Sequence, residues 1–568
     1  MSTEETNVDA LSSGDSALKE PAPPQDAADT TEENLNLEEE EKIPMTGAGG
    51  AGDGAGDGTG DGTGGPEEER PLDNGDTSGE KNGAVKLKMP EDEEEEEERE
   101  AAFTGLNKDE LLRVAGTPRW VRIRWTLLIL FWLGWFGMLA GSVLIILQAP
   151  RCRELPATNW WNDGPLYQIG NIQAFSNEQN LKGVEQKLDY LSQLKVRGLV
   201  IGPLHVALPN DPTSLIFEEV SPDVGTLQQF RSFLQAAHKL GISVVLDLTP
   251  NYLGSTGPWF SNISVTSVAE RLKPALVFWL NEGVDGVQLD GVERVSTVVP
   301  SLWSDIRAIV QNETQEHPNK RVLIGVSERS SPEDVTSLLS STGVDLLISK
   351  VLLSPDATAR AQSIQQLYSD HNQSRLCWSL SGRSQGHLAS LVGPALVKLH
   401  HLLLLTLPGT PFFNYGDEIG LMDTDTNFPS MLWDSDKDQN QTLQEEKAEL
   451  STRSFFRSLS DLRGKQRSLL IGDFVLLFNS SSSLAYMRVW DQNTRFVAAL
   501  NWADEDVVLQ LRDTMLPPQA AVVMSTNSSF LPAESTVDLN QLQLGPGQAA
   551  LLARHGIKMF CAALQCHD

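Results

Sequence analysis

Residues 283–290 read GVDGVQLD, a short apolar segment that ends in a carboxylate. Val287 and Leu289 give it the aliphatic character of a buried strand. In (β/α) barrels the residues of functional sites follow the carboxyl ends of the strands. Gln288, which carries no charge, lies two positions before the final carboxylate. The segment therefore predicts a barrel strand and marks Asp290 as a candidate site residue.

Strands and helices alternate on both sides of this segment. The stretch LKGVEQKLDYLSQLKV (181–196) places leucine and valine at helical spacing on one face. Alternation of this kind predicts parallel strands with crossover helices, and the number of repeats predicts an α/β fold with an eight-stranded (β/α)8 TIM-type barrel over residues 160–466. The strand-like runs are LYQIG, GLVIGPL, ISVVLDL, VDGVQLD, RVLIG, DLLIS, LCWSL and TPFFNYG.

The pattern changes after the barrel. From residue 467 to residue 555 the sequence contains short apolar runs separated by turns, such as GDFVLLFN, LAYMRVW and RFVAALNWA. Runs of this length without intervening helices predict an antiparallel β-sandwich domain. Residues 556–568 are interpreted as a C-terminal tail. A chain of 568 residues has room for two or three such domains.

The negative charge is concentrated at the N-terminus. Residues 1–100 hold 31 acidic and 7 basic residues, so −24 of the net charge of −33 lies there. The Gly-Asp repeats of 47–65 and the acidic run of 91–100 predict a disordered cytoplasmic tail, because such sequences bury little apolar surface. The tail is either a solvating segment or a docking platform for cytosolic partners. The sequence contains no strongly basic segment of the kind that binds nucleic acid.

One segment predicts a membrane span. Residues 125–147 read WTLLILFWLGWFGMLAGSVLIIL, 23 residues without a charge, enough to cross a hydrocarbon core of about 30 Å. Cations are frequent in the juxtamembrane segment before it (101–124) and sparse in the neck after it (148–159). The cationic side stays in the cytosol. The sequence therefore predicts a single-pass type II protein of the plasma membrane with an extracellular C-terminal ectodomain.

The N-glycosylation sequons agree with this topology. All six follow the predicted span and none precedes it, which places them on the extracellular side. They begin at Asn262, Asn312, Asn372, Asn440, Asn479 and Asn527.

The predicted span also carries a small-residue face. Gly134, Gly137 and Gly141 share one side of the helix, and the last two have the small-xxx-small spacing. In lipid such a face allows a second helix to approach closely. The alternative is that glycine is simply common in membrane helices.

Four cysteines exclude a disulfide-built scaffold. Cys377 is interpreted as a buried strand residue, and Cys561 and Cys566 are close enough in sequence to pair. Cys152, five residues beyond the span, is then the odd cysteine and a candidate for an intermolecular bridge on the oxidising side. A free or palmitoylated cysteine is the alternative.

Residues 160–555 together resemble the α-amylase/α-glucosidase family. The motifs LKGVEQKLDYLSQLKVRGLVIGPL, GISVVLDLTPNY, PWF, FWLNEGVDGVQLD, LPGTPFFNYGDEIG and MLWD occur in the order of that family. The resemblance implies a barrel whose catalytic carboxylates would follow different strands. A retaining glycosidase needs two of them, about 5–5.5 Å apart.

The positions of the family's catalytic residues are only partly occupied. The strand-four pattern Gly-Phe-Arg-x-Asp appears as Gly286-Val287-Gln288-Leu289-Asp290, which keeps the nucleophile position and loses the arginine. The general acid should follow Gly325, where the chain has Val326. Glu328 lies two residues farther on, beyond the expected end of the strand.

Other family motifs are also incomplete. The strand-three pattern appears as Asp247-Leu248-Thr249-Pro250-Asn251-Tyr252, without its final histidine, and CWSLSGRSQG (377–386) contains no Asn-His-Asp. Only six residues separate Tyr252 from Trp259, too few for the small domain that the family inserts there. We therefore interpret Asp247, Asn251 and Asp290 as relic positions and predict a non-catalytic ectodomain without a metal or cofactor.

The membrane anchor narrows the resemblance. TGLNKDELLRVAGTPRWVRIRWTLLILFWLGWFGMLAGSVLIILQAPRCRELP (104–156) is similar to the heavy subunits of heteromeric amino-acid transporters, of the cell-surface-antigen heavy-chain type. This resemblance implies that Cys152 forms a disulfide with a multi-spanning light subunit, which the heavy chain brings to the plasma membrane and stabilises. It also implies a role in adhesion signalling through integrin β subunits. The alternatives are a membrane-anchored α-glucosidase with a rearranged site and a purely structural adhesion protein.

Overall fold

The computed structural model describes residues 107–148, 153–312, 320–433 and 443–554. The predictions for the acidic tail, for residues 556–568 and for the sequon asparagine at position 440 lie outside the described residues. The same holds for Cys152, Cys561 and Cys566. Cys377 lies buried in a strand as a free thiol, as the sequence predicts.

Two helices precede the barrel. Helix α1 spans Lys108–Ala115, and helix α2 spans Pro118–Gln148 and contains the predicted span. Helix α2 begins seven residues before the span because Pro118 takes the first helical position, where its fixed φ and missing N–H carry no penalty. At 31 residues it is the one helix of the described chain that is long and apolar enough to cross a membrane.

The barrel is a nearly closed sheet of eight parallel strands, as predicted. The described residues of this part of the chain form ten strands, eight in the barrel and two in a hairpin: β1 (Leu166–Ile169), β2 (Gly198–Ile201), β3 (His205–Leu208), β4 (Asp211–Val220), β5 (Ser243–Asp247), β6 (Gly286–Asp290), β7 (Val322–Val326), β8 (Leu346–Ile348), β9 (Cys377–Trp378) and β10 (Thr410–Asn414). The sheet order is β8-β7-β6-β5-β2-β1-β10-β9. Strands β3 and β4 pair with each other as an antiparallel hairpin after β2.

Strand register brings the candidate residues to one end of the barrel. Asp247 pairs with Gln288, and Asp290 pairs with Val326. Gly286 is required at the other end of β6, because a Cβ there would lie 2.4 Å from Val322. The carboxyl ends of β5, β6 and β7 therefore lie side by side, as a (β/α) barrel demands.

Helices cover the barrel. They are α3 (Ile172–Phe175), α4 (Leu181–Gln186), α5 (Leu188–Gln193), α6 (Leu227–Lys239), α7 (Ser264–Glu282), α8 (Val292–Val298), α9 (Pro300–Gln311), α10 (Pro332–Thr342), α11 (Ala357–Asp370), α12 (Leu388–Val392), α13 (Val397–Thr406), α14 (Leu443–Lys465) and α15 (Arg467–Leu470). The first predicted helix is divided at Lys187 into α4 and α5. Its predicted apolar face is buried nevertheless, through Leu181, Val184, Leu188, Leu191 and Leu194.

The C-terminal region is antiparallel, as predicted. Its strands are β11 (Asp473–Asn479), β12 (Ser483–Val489), β13 (Arg495–Asn501), β14 (Val507–Leu509), β15 (Gln519–Ser525), β16 (Thr536–Asp538), β17 (Leu542–Leu544) and β18 (Ala549–Arg554). Six of them form one sheet in the order β11-β12-β13-β18-β15-β16, and β14 pairs with β17. One face of the large sheet shares a core with this pair, and the other face joins the barrel core.

Candidate functional site

The carboxyl ends of β5 and β6 hold a buried polar group. Asp247 is fully buried, and its Oδ1 accepts hydrogen bonds from the backbone N–H and hydroxyl of Thr249 at 2.9 and 2.5 Å. Gln288 Nε2 donates to Asp247 Oδ2 at 3.0 Å. The side chain that replaces the family's arginine in β6 therefore still binds the neighbouring carboxylate, although without a charge.

The missing cation comes from another part of the barrel. Arg383, in the loop after β9, places its Nε 3.4 Å from Asp247 Oδ2. The backbone N–H of Arg383 donates to Gln168 Oε1 at 2.8 Å, which fixes the loop against β1. Sequence reasoning missed Arg383, because it looked for a cation only at position 288. The signal that could have predicted such a cation is a buried carboxylate with no cationic residue on the neighbouring strand.

Asp290 completes the group, which we call the barrel-end cluster (Asp247, Gln288, Asp290 and Arg383). Burial raises the pKa of Asp290 to about 6, and the nearby Arg383 guanidinium opposes part of that rise. One carboxylate oxygen of Asp290 accepts from the N–H of Gly291 at 2.6 Å. Its backbone carbonyl accepts from Trp259 Nε1 at 3.0 Å. Asp290 is thus held at the barrel mouth by the short loop after β5.

Position 326, where the family resemblance places the general acid, holds a valine. Val326 ends β7 opposite Asp290 and is buried in an apolar cluster. Glu328 lies beyond the strand, is exposed, and forms an ion pair with Lys350. A valine side chain cannot donate a proton, so proton transfer from position 326 is excluded by its chemistry.

The space at the barrel mouth is small. The cavity beside the cluster has a volume of about 20 Å³, which is room for about one water molecule. Pockets that bind small molecules usually measure about 300–1,000 Å³. Arg383 takes part in closing the cavity, whose other lining residues include Gln168, Val326, Ile348, Ser381 and Phe412.

Asn251 lies apart from the cluster. Its Nδ2 donates to Asn210 Oδ1 at 3.0 Å and to the carbonyl of Thr256 at 2.6 Å, while its Oδ1 accepts from the N–H of Asn210 at 3.0 Å. These bonds tie the short loop after β5 to the β3–β4 hairpin. The structure therefore brings Asp247 and Asp290 together, whereas Asn251 holds a loop.

A second buried acidic group lies behind β10, in the GDEIG motif. Glu418 is fully buried, and Tyr190 and Tyr167 donate hydroxyl hydrogen bonds to its Oε1 at 2.7 and 3.1 Å. Burial raises the pKa of Glu418 to about 7. Asp417 accepts from the backbone N–H groups of Leu388 and Asn414, both at 2.8 Å. These bonds join β10 to α12, and sequence reasoning assigned them no role.

In the described part of the chain, no three His, Cys, Asp or Glu side chains converge as a metal site requires.

The glycines of α2 and five of the sequon asparagines lie at the surface of the described chain. A Cβ at Gly134, Gly137 or Gly141 would meet no heavy atom of the described residues within 4 Å, so this face of α2 is open to another helix. Five of the six sequon asparagines are described and all five are exposed, namely Asn262, Asn312, Asn372, Asn479 and Asn527.

Two protein families match parts of the chain. Residues 91–167 match the family described as "Solute carrier family 3 member 2 N-terminus". Residues 173–268 match the catalytic domain of alpha amylase. Among solved structures, trehalulose synthase from Pseudomonas mesoacidophila (TM-score 0.55, 17% identity) and alpha-amylase from Geobacillus thermoleovorans (TM-score 0.55, 19% identity) each cover 70% of this chain. The match includes 100% of the synthase and 99% of the amylase, and it shows the shared fold.

Amino acid transporter heavy chains are similar to this chain along most of its length. The amino acid transporter heavy chain SLC3A2 of Oryctolagus cuniculus is 44% identical over 83% of this chain and 91% of its own length. The SLC3A2 heavy chain of Rattus norvegicus is 41% identical over 85% of this chain and 95% of its own length. The heavy chain SLC3A1 of Mus musculus is 23% identical over 83% and 88%. With its long apolar helix, its amylase-like barrel and this extent of identity, the chain belongs to the family of amino acid transporter heavy chains.

Proposed function

We propose that this heavy chain forms a disulfide through Cys152 with a multi-spanning light subunit, brings that subunit to the plasma membrane and stabilises it there. The observation that carries the proposal is helix α2, the one helix of the described chain that can cross a membrane. A single apolar helix cannot enclose a polar pathway, because its whole surface faces lipid. A polar group that faces lipid without a hydrogen-bond partner costs several kcal/mol, on the order of the cost of an unpaired buried polar group. The pathway for amino acids must then lie in a partner.

The proposal includes a non-catalytic barrel. Three features support it: a hydrocarbon side chain at Val326, a cavity of about 20 Å³, and Arg383 paired with Asp247 at 3.4 Å. Retaining glycoside hydrolysis requires an acid and room for a sugar between two carboxylates. The barrel-end cluster offers one candidate nucleophile, Asp290, and no comparable acid at the end of β7.

The topology is part of the same proposal. Arg119, Arg122 and Arg124 lie in the first two turns of α2, and its last turn contains no basic residue. This asymmetry favours a cytosolic N-terminus. The exposed sequon asparagines all follow the helix and suit an extracellular ectodomain. Removal of N-glycans with a glycosidase should increase the gel mobility of the full chain, whereas unchanged mobility would contradict extracellular exposure.

A non-reducing gel of membranes tests the covalent pairing. The unchanged chain and its Cys152→Ser variant are each expressed with a light subunit, and the band sizes are compared before and after reduction. We expect a larger band for the unchanged chain that collapses on reduction and is absent from the variant. Cys377→Ser is the matched control, because that thiol is buried and its loss should leave the large band in place.

Two outcomes would contradict the proposal. If both variants run as the monomer under non-reducing conditions, covalent pairing is wrong. If the Cys152→Ser variant keeps the large band, another cysteine makes the bond.

Association of the span with integrin β subunits remains a prediction. It is measured by co-purification of an integrin β subunit with the full chain, compared with a chain whose α2 sequence is exchanged.

A further inference from the structure

One residue attaches the neck to the C-terminal β region. Arg153 Nη1 lies 2.6 Å from Asp473 Oδ2, and its guanidinium carbon lies 4.5 Å from the centre of the Trp490 ring. The backbone N–H of Arg153 donates to Asp491 Oδ2 at 3.3 Å. We call this group (Arg153, Asp473, Trp490 and Asp491) the neck clamp. It combines an ion pair, a cation–π contact and a backbone hydrogen bond.

The clamp rests on a firmly held part of the fold. Asp473 begins β11 and pairs in register with Val489, the last residue of β12. Trp490 follows directly and is buried. Arg488, two residues earlier, is fully buried and donates to the carbonyl of Gly472 at 2.7 Å. The surface that receives Arg153 is therefore fixed by strand pairing and by a buried hydrogen bond.

Stability alone is a poor explanation for the clamp. The side chains of Arg153 and Asp473 are 51% and 42% exposed, and ion pairs at such exposure contribute little to the free energy of folding. Their effect is local instead, since three contacts converge on a single residue of the neck. That residue directly follows Cys152 in the sequence.

Chain geometry converts the clamp into a restraint on the thiol. Consecutive Cα atoms are about 3.8 Å apart, so the Cα of Cys152 stays within that distance of the clamped Arg153. Helix α2 ends at Gln148, five residues before Arg153, a separation that an extended chain spans with about 18 Å at most. A restraint on Arg153 therefore acts on the residue bonded to it, which is the cysteine of the proposed disulfide.

We propose that Arg153 is a positioning residue for the intersubunit disulfide, because its contacts with Asp473, Trp490 and Asp491 set the place where Cys152 meets the light subunit. This inference rests on the proposed function. In the reaction, the Cys152 thiol and a light-subunit thiol join as a disulfide and release two protons. The two electrons given up by the two thiols, together with two protons, reduce a protein disulfide of the secretory pathway to two thiols.

The first test needs no light subunit. Trypsin cleaves after Arg153 in the full chain, and appearance of the new N-terminus at Glu154 measures how often the clamp opens. We expect Asp473→Asn to accelerate this cleavage about 5-fold, since it removes the ion pair and loosens the stacked guanidinium. Glu282→Gln is the matched control, because the Arg231–Glu282 pair has the same separation of 2.6 Å and lies on the barrel helices; it should leave the rate unchanged.

The second test follows the disulfide itself. The full chain is co-expressed with the light subunit that forms the adduct with the unchanged protein, and the initial rate of adduct formation is measured after pulse labelling. We expect Arg153→Asp to slow it about 5-fold and the charge exchange Arg153→Asp with Asp473→Arg to restore it to within about 2-fold. Rescue by the exchange would assign the slowing to loss of the Arg153–Asp473 ion pair rather than to either substitution by itself.

The outcomes separate this inference from the proposed function. If the unchanged chain forms no adduct, the proposed function fails and the inference fails with it. If the adduct forms and Arg153→Asp does not slow it, only the inference fails. Slower formation that the charge exchange does not restore also overturns it, because the ion pair would then not be the cause. Slowing with rescue, together with faster trypsin cleavage of Asp473→Asn, supports it.

Discussion

Arg383 and Asp247 form an ion pair across the mouth of the barrel, with 3.4 Å between Nε and Oδ2, although Asp247 ends β5 and Arg383 lies in the loop after β9. Asp247 is fully buried, and the side chain of Arg383 is only 15% exposed. The arginine that the family resemblance places in β6 is absent, and Gln288 occupies its position. A cation from a distant loop therefore compensates the charge of a carboxylate that no longer has a cation on the neighbouring strand.

Removal of this cation should destabilise the protein. We expect Arg383→Gln to lower the free energy of unfolding by about 3–5 kcal/mol, since it leaves a buried charge unpaired. Chemical unfolding of the full chain in detergent measures the change. Arg231→Gln breaks an ion pair whose arginine is 53% exposed and should cost less than about 1 kcal/mol. Equal losses for the two variants would show that Asp247 does not depend on Arg383.

Asp290 should make stability fall as the pH rises. Its pKa is about 6 in the folded protein, above the value of about 3.9 for an exposed aspartate. The folded state therefore holds the Asp290 proton more tightly than the unfolded state does. The resulting contribution to the free energy of unfolding is fully present below about pH 4 and is lost as the pH rises through 6. We therefore expect Asp290→Asn to stabilise the protein at pH 8 by about 2–3 kcal/mol relative to its effect at pH 4.

Unfolding curves of the Asp290 variant at pH 4, 6 and 8 check this expectation. Asp504→Asn, which changes an exposed carboxylate, serves as the control and should show no comparable pH dependence. A constant difference between Asp290→Asn and the unchanged chain over this range would mean that Asp290 titrates like an exposed aspartate.

The barrel should not hydrolyse α-glucosides. We expect the purified full chain to release no more product from maltose or 4-nitrophenyl α-glucoside than its Asp290→Asn variant does. Val326→Glu should not create activity either, because the cavity of about 20 Å³ leaves no room for a sugar. Turnover by the unchanged chain that disappears in Asp290→Asn would favour a membrane-anchored α-glucosidase.

The glycine face of α2 should matter for partner binding. Gly137→Leu and Gly141→Leu fill the open surface and should reduce the amount of light subunit that co-purifies with the Cys152→Ser chain by several-fold, since close helix contact needs small residues. Leu133→Ile, at an exposed position of the same helix, is the control. Unchanged co-purification with the two leucine variants would mean that this face contacts only lipid.

Much of the architecture is predictable from local pattern. Short apolar runs joined by amphipathic helices predict a parallel barrel, and the short apolar runs after residue 467 predict the antiparallel region; both are confirmed. The expected loss of helices begins only after the short helix α15 (Arg467–Leu470). The β3–β4 hairpin was not predicted, because its Asp211–Val220 strand contains Pro212 and alternates poorly between buried and exposed positions. Local periodicity therefore identified the strands of the main sheet better than those of a surface hairpin.

The site was less predictable than the fold. Asp247 and Asp290 end adjacent strands, so strand counting alone predicts that they lie together. Arg383 reaches the same place through a loop after β9, a strand of only two residues. The neck clamp has the same character, because Arg153 and Asp473 lie far apart in the sequence. Contacts that depend on long-range packing leave no periodic signal.

Delivery of a light subunit to the cell surface is the activity that the proposed heavy-chain function requires. A tagged light subunit is expressed alone, with the unchanged chain, or with the Asp290→Asn variant, and surface biotinylation and amino-acid uptake are measured in each case. We predict that both quantities rise several-fold with the unchanged chain and rise equally with the variant. Equal surface labelling and uptake with and without this chain would mean that it does not act as a heavy chain for that light subunit.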